Sequence, residues 1–164
     1  MRIINAYPAT LILFGVDTPV TFNLSLGEEP QDVFSGDYDN DGMQDLLILG
    51  KKGYTIFQNK GCDNMPAMFQ GGETINGTGL YYMSEIWQGD FNGDGLPDFL
   101  YHKGKEKDLC FALNESNGSF SHFLAYSYAS IGYAPEAFNC LVADFDNDGK
   151  QDAFLIRKYR DGKF

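Results

Sequence analysis

Three short stretches of this 164-residue chain carry regularly spaced oxygen-bearing side chains around a central glycine. They are residues 37–45 (DYDNDGMQD), 90–98 (DFNGDGLPD) and 144–152 (DFDNDGKQD). In each stretch Asp or Asn stands at positions 1, 3 and 5, Gly at position 6 and Asp at position 9. This spacing is typical of a short loop that wraps a hard cation such as calcium, which takes oxygen ligands.

The predicted side-chain ligands stand at positions 1, 3, 5 and 9 of each loop: Asp37, Asp39, Asp41 and Asp45; Asp90, Asn92, Asp94 and Asp98; Asp144, Asp146, Asp148 and Asp152. The residues at position 7 share no side-chain chemistry, so a main-chain carbonyl is the predicted ligand there: Met43, Leu96 and Lys150. All-oxygen ligation disfavours zinc and copper, and an extended acidic cage suits calcium better than magnesium. The sequence therefore predicts about one calcium ion per repeat, three in all.

An EF-hand also alternates oxygen ligands around a glycine, but it needs a bidentate glutamate at position 12 and a helix on each side. Position 12 here holds Ile48, Tyr101 and Leu155, and the flanking segments have the apolar character of strands. The prediction is therefore a calcium loop inside a β-hairpin.

The formal net charge of -11 argues against nucleic acid or an anionic membrane surface as a partner, because both attract cationic proteins. The three loops contain eleven aspartates, whose mutual repulsion opposes folding unless a cation neutralises it. Three divalent cations would change the charge from -11 to about -5. The alternative is a set of solvated acidic turns, but such turns have no reason to repeat one spacing.

The loops begin at residues 37, 90 and 144, which indicates repeats of 53 and 54 residues. A strand-like segment precedes each loop, and an apolar run follows it at 46–49, 99–101 and 153–156. Polar turns then lead to a third strand and a fourth, outer strand near 68–70 or 120–124. Four short strands in about fifty residues is the plan of a propeller blade. The predicted fold is all-β, a partial propeller of roughly three blades with about four antiparallel strands each.

The repeat boundaries divide the chain into a single repeat domain: residues 1–29 close a preceding blade, 30–82 form repeat 1, 83–136 repeat 2 and 137–164 a truncated repeat 3. Both ends fall inside a unit, so we expect further blades in a longer chain. The approach to each loop also repeats, with a large apolar residue three places before it and a small one directly before it. These pairs are Phe34 and Gly36, Trp87 and Gly89, and Leu141 and Ala143. The pattern predicts a bulky contact beside a close backbone approach on one strand face.

Residues 36–48 (GDYDNDGMQDLLI) and their two counterparts resemble the FG-GAP and VCBS repeats of integrin alpha-subunit propellers and of many bacterial surface and secreted proteins. The likeness covers the loops and their flanking strands, about two thirds of the chain. The Gly-Ala-Pro tripeptide of the integrin form is replaced by Leu49-Gly50-Lys51, which directs the comparison toward the broader bacterial group.

The resemblance implies an extracellular or cell-surface module for adhesion, ligand binding or scaffolding, in which calcium is structural. Similar repeats occur in toxin-complex and Rhs-like proteins, so the alternative is the propeller of a larger secreted enzyme or toxin, for example one acting on polysaccharide. The partner, protein or carbohydrate, is not identified by the sequence.

Little else in the chain suggests catalysis. His102 and His122 lie in no nucleophile, zinc or phosphate motif, and carboxylates that hold calcium are poor proton carriers. We therefore predict no catalytic residues and no enzyme activity. No apolar run is long enough to cross a bilayer, so no membrane insertion is expected. The three cysteines, Cys62, Cys110 and Cys140, leave a disulfide undetermined.

Overall fold

The computed structural model describes residues 7–13, 20–61, 68–76, 85–103, 108–127 and 137–158. Within these ranges the chain forms twelve β-strands and no helix, which confirms the predicted all-β fold. Accordingly, no helix in the described ranges has the length and apolar character needed to cross a membrane.

The strands are β1 (Tyr7–Leu13), β2 (Val20–Leu26), β3 (Pro30–Gly36), β4 (Asp45–Gly50), β5 (Gly53–Asn59), β6 (Phe69–Asn76), β7 (Ile86–Gly89), β8 (Asp98–Lys103), β9 (Asp108–Asn114), β10 (Phe120–Tyr126), β11 (Ala137–Ala143) and β12 (Asp152–Lys158). Apolar and β-branched residues dominate most of them, as expected for short strands packed on a core. The turns between them are rich in Gly, Asn and Asp.

The chain divides into two compact units, Met1–Tyr81 and Tyr82–Phe164. The first unit contains the hairpin β1–β2 and a sheet in the order β3-β4-β5-β6. The second contains a sheet in the order β10-β9-β8-β7 and the hairpin β11–β12. Every pairing is antiparallel. The two four-stranded meanders confirm the predicted blades of four antiparallel strands.

The outer strands are longer than the sequence predicts, because β6 runs to Asn76 and β10 to Tyr126. A register shift between Thr55 and Phe57 of β5 accommodates an extra residue of β6 at its double glycine. Gly71 has a φ of 95°, a conformation that residues with a side chain rarely adopt. The double glycine thus lets pairing continue where the expected strand stopped.

In the first unit, residues of β2 pack against the inner strands of the four-stranded sheet. The buried cluster consists of Leu24, Leu26, Ile48 and Phe57, with Leu46 and Phe69 packed against it. Leu24 and Leu26, like Leu46 and Ile48, lie two residues apart, so each pair shares one face of its strand. Burial of these alternate side chains joins the hairpin to the sheet.

In the second unit, the hairpin β11–β12 packs on the sheet in the same way. Leu100 and Leu109 form the buried centre, surrounded by Trp87, Phe91, Phe111, Ala153 and Leu155. A Cβ atom added to Gly89 would lie 2.7 Å from Cγ1 of Val142 in β11. The predicted combination of a bulky contact at Trp87 and a close approach at Gly89 is therefore confirmed in this repeat.

Both histidines are held in side-chain pairs of the second unit. His102 is buried, with Nδ1 2.9 Å from Oε2 of Glu85. His122 Nδ1 lies 3.0 Å from the hydroxyl of Tyr101, and partial desolvation lowers the pKa of this imidazole. Cys110 and Cys140 are free thiols, whereas Cys62 lies outside the described residues.

Candidate metal centres

Each acidic loop joins two strands of a hairpin: β3 to β4, β7 to β8, and β11 to β12. The residue before the loop pairs with the aspartate at position 9 in every case, as Gly36 with Asp45 and Gly89 with Asp98. Ala143 pairs with Asp152 in the same way. The flanking elements are strands, so the structure excludes an EF-hand and confirms a loop within a β-hairpin.

The backbone of each loop turns through two residues in the left-handed region. The position 6 glycines, Gly42, Gly95 and Gly149, have φ values of 85°, 86° and 88°. Position 4 is also left-handed, at 62° in Asn40, 81° in Gly93 and 63° in Asn147. Glycine and asparagine adopt this conformation most readily, which explains their use at these two positions.

The aspartate at position 1 organises the loop by accepting hydrogen bonds from its main-chain N–H groups. In the second loop, Oδ1 of Asp90 accepts from the N–H groups of Gly93 at 2.7 Å and Asp94 at 3.1 Å. Oδ2 accepts from the N–H of Gly95 at 2.9 Å. Asp37 and Asp144 accept the same bonds from positions 5 and 6 of their loops. A carboxylate at position 1 therefore has a structural role in addition to any role as a ligand.

The aspartate at position 9 is fully buried in the first two loops and connects three segments of the repeat. Oδ2 of Asp45 accepts from the N–H of Tyr38 at 3.2 Å, and Oδ1 accepts from the N–H of Asn59 at 2.8 Å. Tyr38 is inside the loop, whereas Asn59 ends β5. The Asp45 side chain thus connects the loop to β5 through hydrogen bonds.

The second repeat reproduces this arrangement. Asp98 accepts from the N–H of Phe91 at 3.0 Å and from the N–H of Asn114, the last residue of β9, at 2.8 Å. Sequence reasoning missed Asn59 and Asn114, although both strands end in Asn. Their buried side chains also shape the following turn, since each amide oxygen accepts from the N–H two residues later.

Burial raises the pKa of Asp98 to about 6, against the lowering effect of the hydrogen bonds from Asn114 and Phe91. The nearby charges of Asp94 and Asp90 raise this pKa further. Burial raises the pKa of Asp45 in the same way. Each buried carboxylate is therefore costly to ionise while its acidic neighbours remain uncompensated.

Two of the loops bring three carboxylates together. In the first loop, one oxygen from each of Asp37, Asp39 and Asp41 lies within 4.8 Å of the others. Ligands on opposite sides of a calcium ion lie about 5 Å apart, since calcium–oxygen distances are about 2.4 Å. This group contains the predicted ligands at positions 1, 3 and 5, while both oxygens of Asp45 accept main-chain hydrogen bonds.

The third loop groups positions 1, 3 and 9 instead: Asp144, Asp146 and Asp152. Oδ2 of Asp152 accepts from the N–H of Phe145 at 3.0 Å. Asp148 lies outside this group and accepts from the N–H of Lys150 at 2.8 Å. The aspartate at position 9 therefore belongs to the carboxylate cluster in the third loop but not in the first.

Asp39 provides a direct test of whether a cation suits the first loop. Its Oδ2 accepts a 2.7 Å hydrogen bond from the side chain of Gln58. Its Oδ1 is buried and has no hydrogen-bond partner among the described residues. A buried acceptor without a donor is costly, and a bound cation would satisfy it. The donor set of this loop fits calcium.

The second loop differs because position 3 is an amide. Asn92 donates from Nδ2 to Oδ2 of Asp94 at 2.9 Å and accepts from the N–H of Asp94 at 2.9 Å. At position 7, Leu96 is buried and donates its N–H to Asp94, as Met43 donates to Asp41. Side-chain identity at position 7 does not affect this bond, in keeping with the varied residues found there.

Two hydrogen bonds connect the second and third loops, and sequence reasoning missed them. The N–H of Gln151 donates to the carbonyl oxygen of Asp90 at 2.7 Å, and its Oε1 accepts from the N–H of Asp90 at 2.8 Å. Gln151 occupies position 8, which Gln44 occupies in the first loop. Pro97, at position 8 of the second loop, has no N–H to donate.

Comparison with known protein families gives two matches to the FG-GAP-like repeat, over residues 37–101 and 90–155. Each match begins at the first aspartate of one loop and extends through the next loop into the strand that follows it. Together they cover residues 37–155, well over half of the chain. No curated protein matches the chain.

Proposed function

We propose that this chain, which belongs to the FG-GAP-like repeat family, is a calcium-binding β-propeller repeat module in which calcium has a structural role. The observation that carries the proposal is the cluster of Asp37, Asp39 and Asp41 around the unpaired, buried Oδ1 of Asp39. A second group of three carboxylates, formed by Asp144, Asp146 and Asp152, supports a site at the third loop as well.

Calcium bound in these loops would supply positive charge where the fold concentrates negative charge. In the first loop, Asp37, Asp39 and Asp41 would hold the ion, and the first of these also accepts the N–H bonds that shape the loop. Lower repulsion would make ionisation of the buried Asp45 less costly. The hydrogen bonds that Asp45 accepts from the loop and from β5 would then be stronger at neutral pH.

The proposed biological role is binding or scaffolding at an extracellular or cell-surface location, with a protein or carbohydrate partner. Calcium sites of extracellular modules are of modest affinity and fill where calcium is abundant, which suits a site open to solvent at an exposed loop. We propose no catalytic role. The loop carboxylates are engaged by main-chain N–H groups, and His102 is buried beside Glu85.

The test is a thermal unfolding series on the whole chain in chelator and in increasing calcium, monitored by far-ultraviolet circular dichroism. Binding to the folded state alone should raise Tm continuously with calcium concentration above Kd. Magnesium at equal concentration is the matched control and should act more weakly, since it retains its waters. If Tm and strand content are the same in chelator and in millimolar calcium, structural calcium binding is wrong.

A triple substitution, Asp37→Asn with Asp39→Asn and Asp41→Asn, tests whether the loop itself is the site. Calorimetric titration should then show one fewer calcium ion per chain. The matched control is Glu28→Gln with Glu29→Gln and Asp32→Asn, which removes three charges outside the loops. A calcium count that falls equally in the control would indicate general charge attraction.

A further inference from the structure

The side chain of Gln58 contacts the first acidic loop from β5, outside the loop itself. Its Nε2 donates a 2.7 Å hydrogen bond to Oδ2 of Asp39, the predicted ligand at position 3. The reverse orientation of the amide would place Oε1 against a carboxylate oxygen with no donor between them, so Nε2 is the atom that faces Asp39. Within the part of the chain that the structure describes, the other oxygen of Asp39, Oδ1, is buried without a hydrogen-bond partner. One oxygen of this carboxylate is thus engaged by the strand, and the second is available to a cation.

The main chain of Gln58 is held against the loop by its neighbour in β5. Asn59 donates its N–H to Oδ1 of Asp45 at 2.8 Å, and its Nδ2 to the carbonyl oxygen of Gln44 at 3.0 Å. These bonds attach the end of β5 to positions 8 and 9 of the loop. On its other side β5 pairs with β6, where Gln58 lies opposite Gln70. The side chain of Gln58 therefore begins at a strand that is already connected to the loop.

The second repeat lacks this contact, and both partners differ there. Asn114 makes the main-chain bond to position 9 that Asn59 makes in the first repeat, and the residue before it is Leu113, whose side chain has no donor. Position 3 is Asn92, whose own Nδ2 donates to Oδ2 of Asp94 at 2.9 Å. The two repeats thus supply one amide donor to a loop carboxylate in different ways. The donor comes from the neighbouring strand where position 3 is an aspartate, and from position 3 itself where that residue is an asparagine.

We infer that Gln58 is a positioning residue of the first calcium site, which holds Oδ2 of Asp39 so that Oδ1 alone serves as the ligand beside Asp37 and Asp41. The inference rests on the proposed calcium role of this loop. Hydrogen bonds of this kind orient metal ligands before the ion arrives, and their removal commonly weakens metal binding about 10- to 100-fold. The bond also places a positive dipole end beside three clustered carboxylates, which reduces their mutual repulsion in the absence of an ion.

The test measures the metal affinity of the first loop in the whole chain. Terbium occupies calcium sites and emits when a nearby tyrosine absorbs light. Position 2 of the first loop is Tyr38, whereas the other two loops have Phe91 and Phe145 there. The emission that is lost in Tyr38→Phe therefore reports on the first loop, and its displacement by added calcium gives the Kd of that loop.

Gln58→Leu installs the residue of the second repeat and should raise the calcium Kd of the first loop about tenfold. Gln70→Leu, the same change at the exposed partner in β6, is the matched control and should alter this Kd by less than about twofold. The measurement is made well below Tm, where a loss of unfolding free energy does not change the affinity of the folded protein. A Kd that is the same in Gln58→Leu and in the control overturns the inference and leaves the calcium role of the loop intact. If the unchanged protein gives no first-loop emission that calcium displaces, the calcium role of this loop fails together with the inference.

A double-mutant cycle tests whether Gln58 acts through Asp39. In Asp39→Asn the charged oxygen that Gln58 holds is absent, so the further change Gln58→Leu should alter the first-loop Kd by less than about twofold. A loss of affinity as large as that in the unchanged protein would show that Gln58 acts by another route, and would overturn the inference. Gln58→Met keeps an unbranched side chain of nearly the same length without a donor. It replaces Gln58→Leu if that variant does not fold, and the same outcomes decide.

Discussion

The main-chain N–H of Asn59 donates a 2.8 Å hydrogen bond to Oδ1 of Asp45, which joins the end of β5 to the start of β4 beside the first acidic loop. Asp45 is fully buried, and its second oxygen accepts from Tyr38 inside the loop. Removal of this carboxylate would leave two buried N–H groups without an acceptor.

Asp45→Ala should lower the free energy of unfolding by roughly 3 kcal/mol in chelator, since each unpaired buried donor costs about 1–3 kcal/mol. Urea unfolding followed by circular dichroism measures the effect. Asp41→Ala is the matched control and should cost below about 1 kcal/mol, because Asp41 is exposed and water can replace its acceptor. Equal losses of unfolding free energy in the two variants would contradict the proposal that Asp45 connects the loop to β5.

The raised pKa of Asp98 predicts a pH dependence of the calcium-free protein. Its ordinary pKa is 3.8 and burial raises it to about 6, so between these values the folded state binds more protons than the unfolded state. Stability contributed by this group should therefore fall as pH rises from about 4 to about 6, by up to roughly 3 kcal/mol. Urea unfolding at several pH values in chelator measures the fall, and Asp98→Asn should reduce it. If the unfolding free energy of Asp98→Asn falls with pH as much as that of the unchanged protein, Asp98 is not the group responsible.

Gly89→Ala should destabilise the second unit because the new Cβ has no room beside Val142 and Gln151. Overpacking of this kind costs about 1–3 kcal/mol. The matched control is the reverse change at the equivalent place, Ala143→Gly, which should cost about 1 kcal/mol or less. Thermal unfolding compares the two, and a neutral Gly89→Ala would show that the hairpin can shift away from the sheet at little cost.

Gln151→Ala removes the side-chain acceptor for the N–H of Asp90 and keeps the main-chain bond to its carbonyl oxygen. We expect a loss of about 1 kcal/mol, the usual contribution of one hydrogen bond. Amide hydrogen exchange should locate the loss at Asp90, whose exchange should accelerate. Gln44→Ala is the control at the same loop position, where the residue accepts a hydrogen bond through its main-chain oxygen, and should change stability by less than about 0.5 kcal/mol. Unchanged exchange at Asp90 would indicate that water replaces the amide without loss.

The sequence was sufficient to predict the hairpin loops and four-stranded sheets, because these depend on local patterns. Asp at position 9 and the apolar run after it define a strand start, and the repeat of 53 or 54 residues defines the unit. Of the two loop positions with a left-handed backbone conformation, only position 6 could be recognised from the sequence. Glycine at position 6 is invariant in the three loops, whereas position 4 alternates between Asn40, Gly93 and Asn147.

The bonds of Asn59 and Gln151 could not be predicted in the same way. Asn59 meets Asp45 only because β4 and β5 pair in one register, with Leu46 opposite Phe57. Gln151 meets Asp90 only because a hairpin packs on the preceding sheet. Both contacts depend on tertiary packing that no local pattern specifies.

The hydrogen bond from Gly93 to Asp90 has a consequence for the chemical ageing of the protein. Asparagine is a thermolabile residue, and an Asn-Gly sequence such as Asn92-Gly93 is the form most prone to lose ammonia, through attack of the glycine nitrogen on the asparagine side chain. Here that nitrogen donates its hydrogen to Oδ1 of Asp90 at 2.7 Å, and the amide of Asn92 is held by Asp94. The folded loop therefore holds both reacting groups in other hydrogen bonds, and loss of ammonia from Asn92 should be slower in the folded protein than in the unfolded chain.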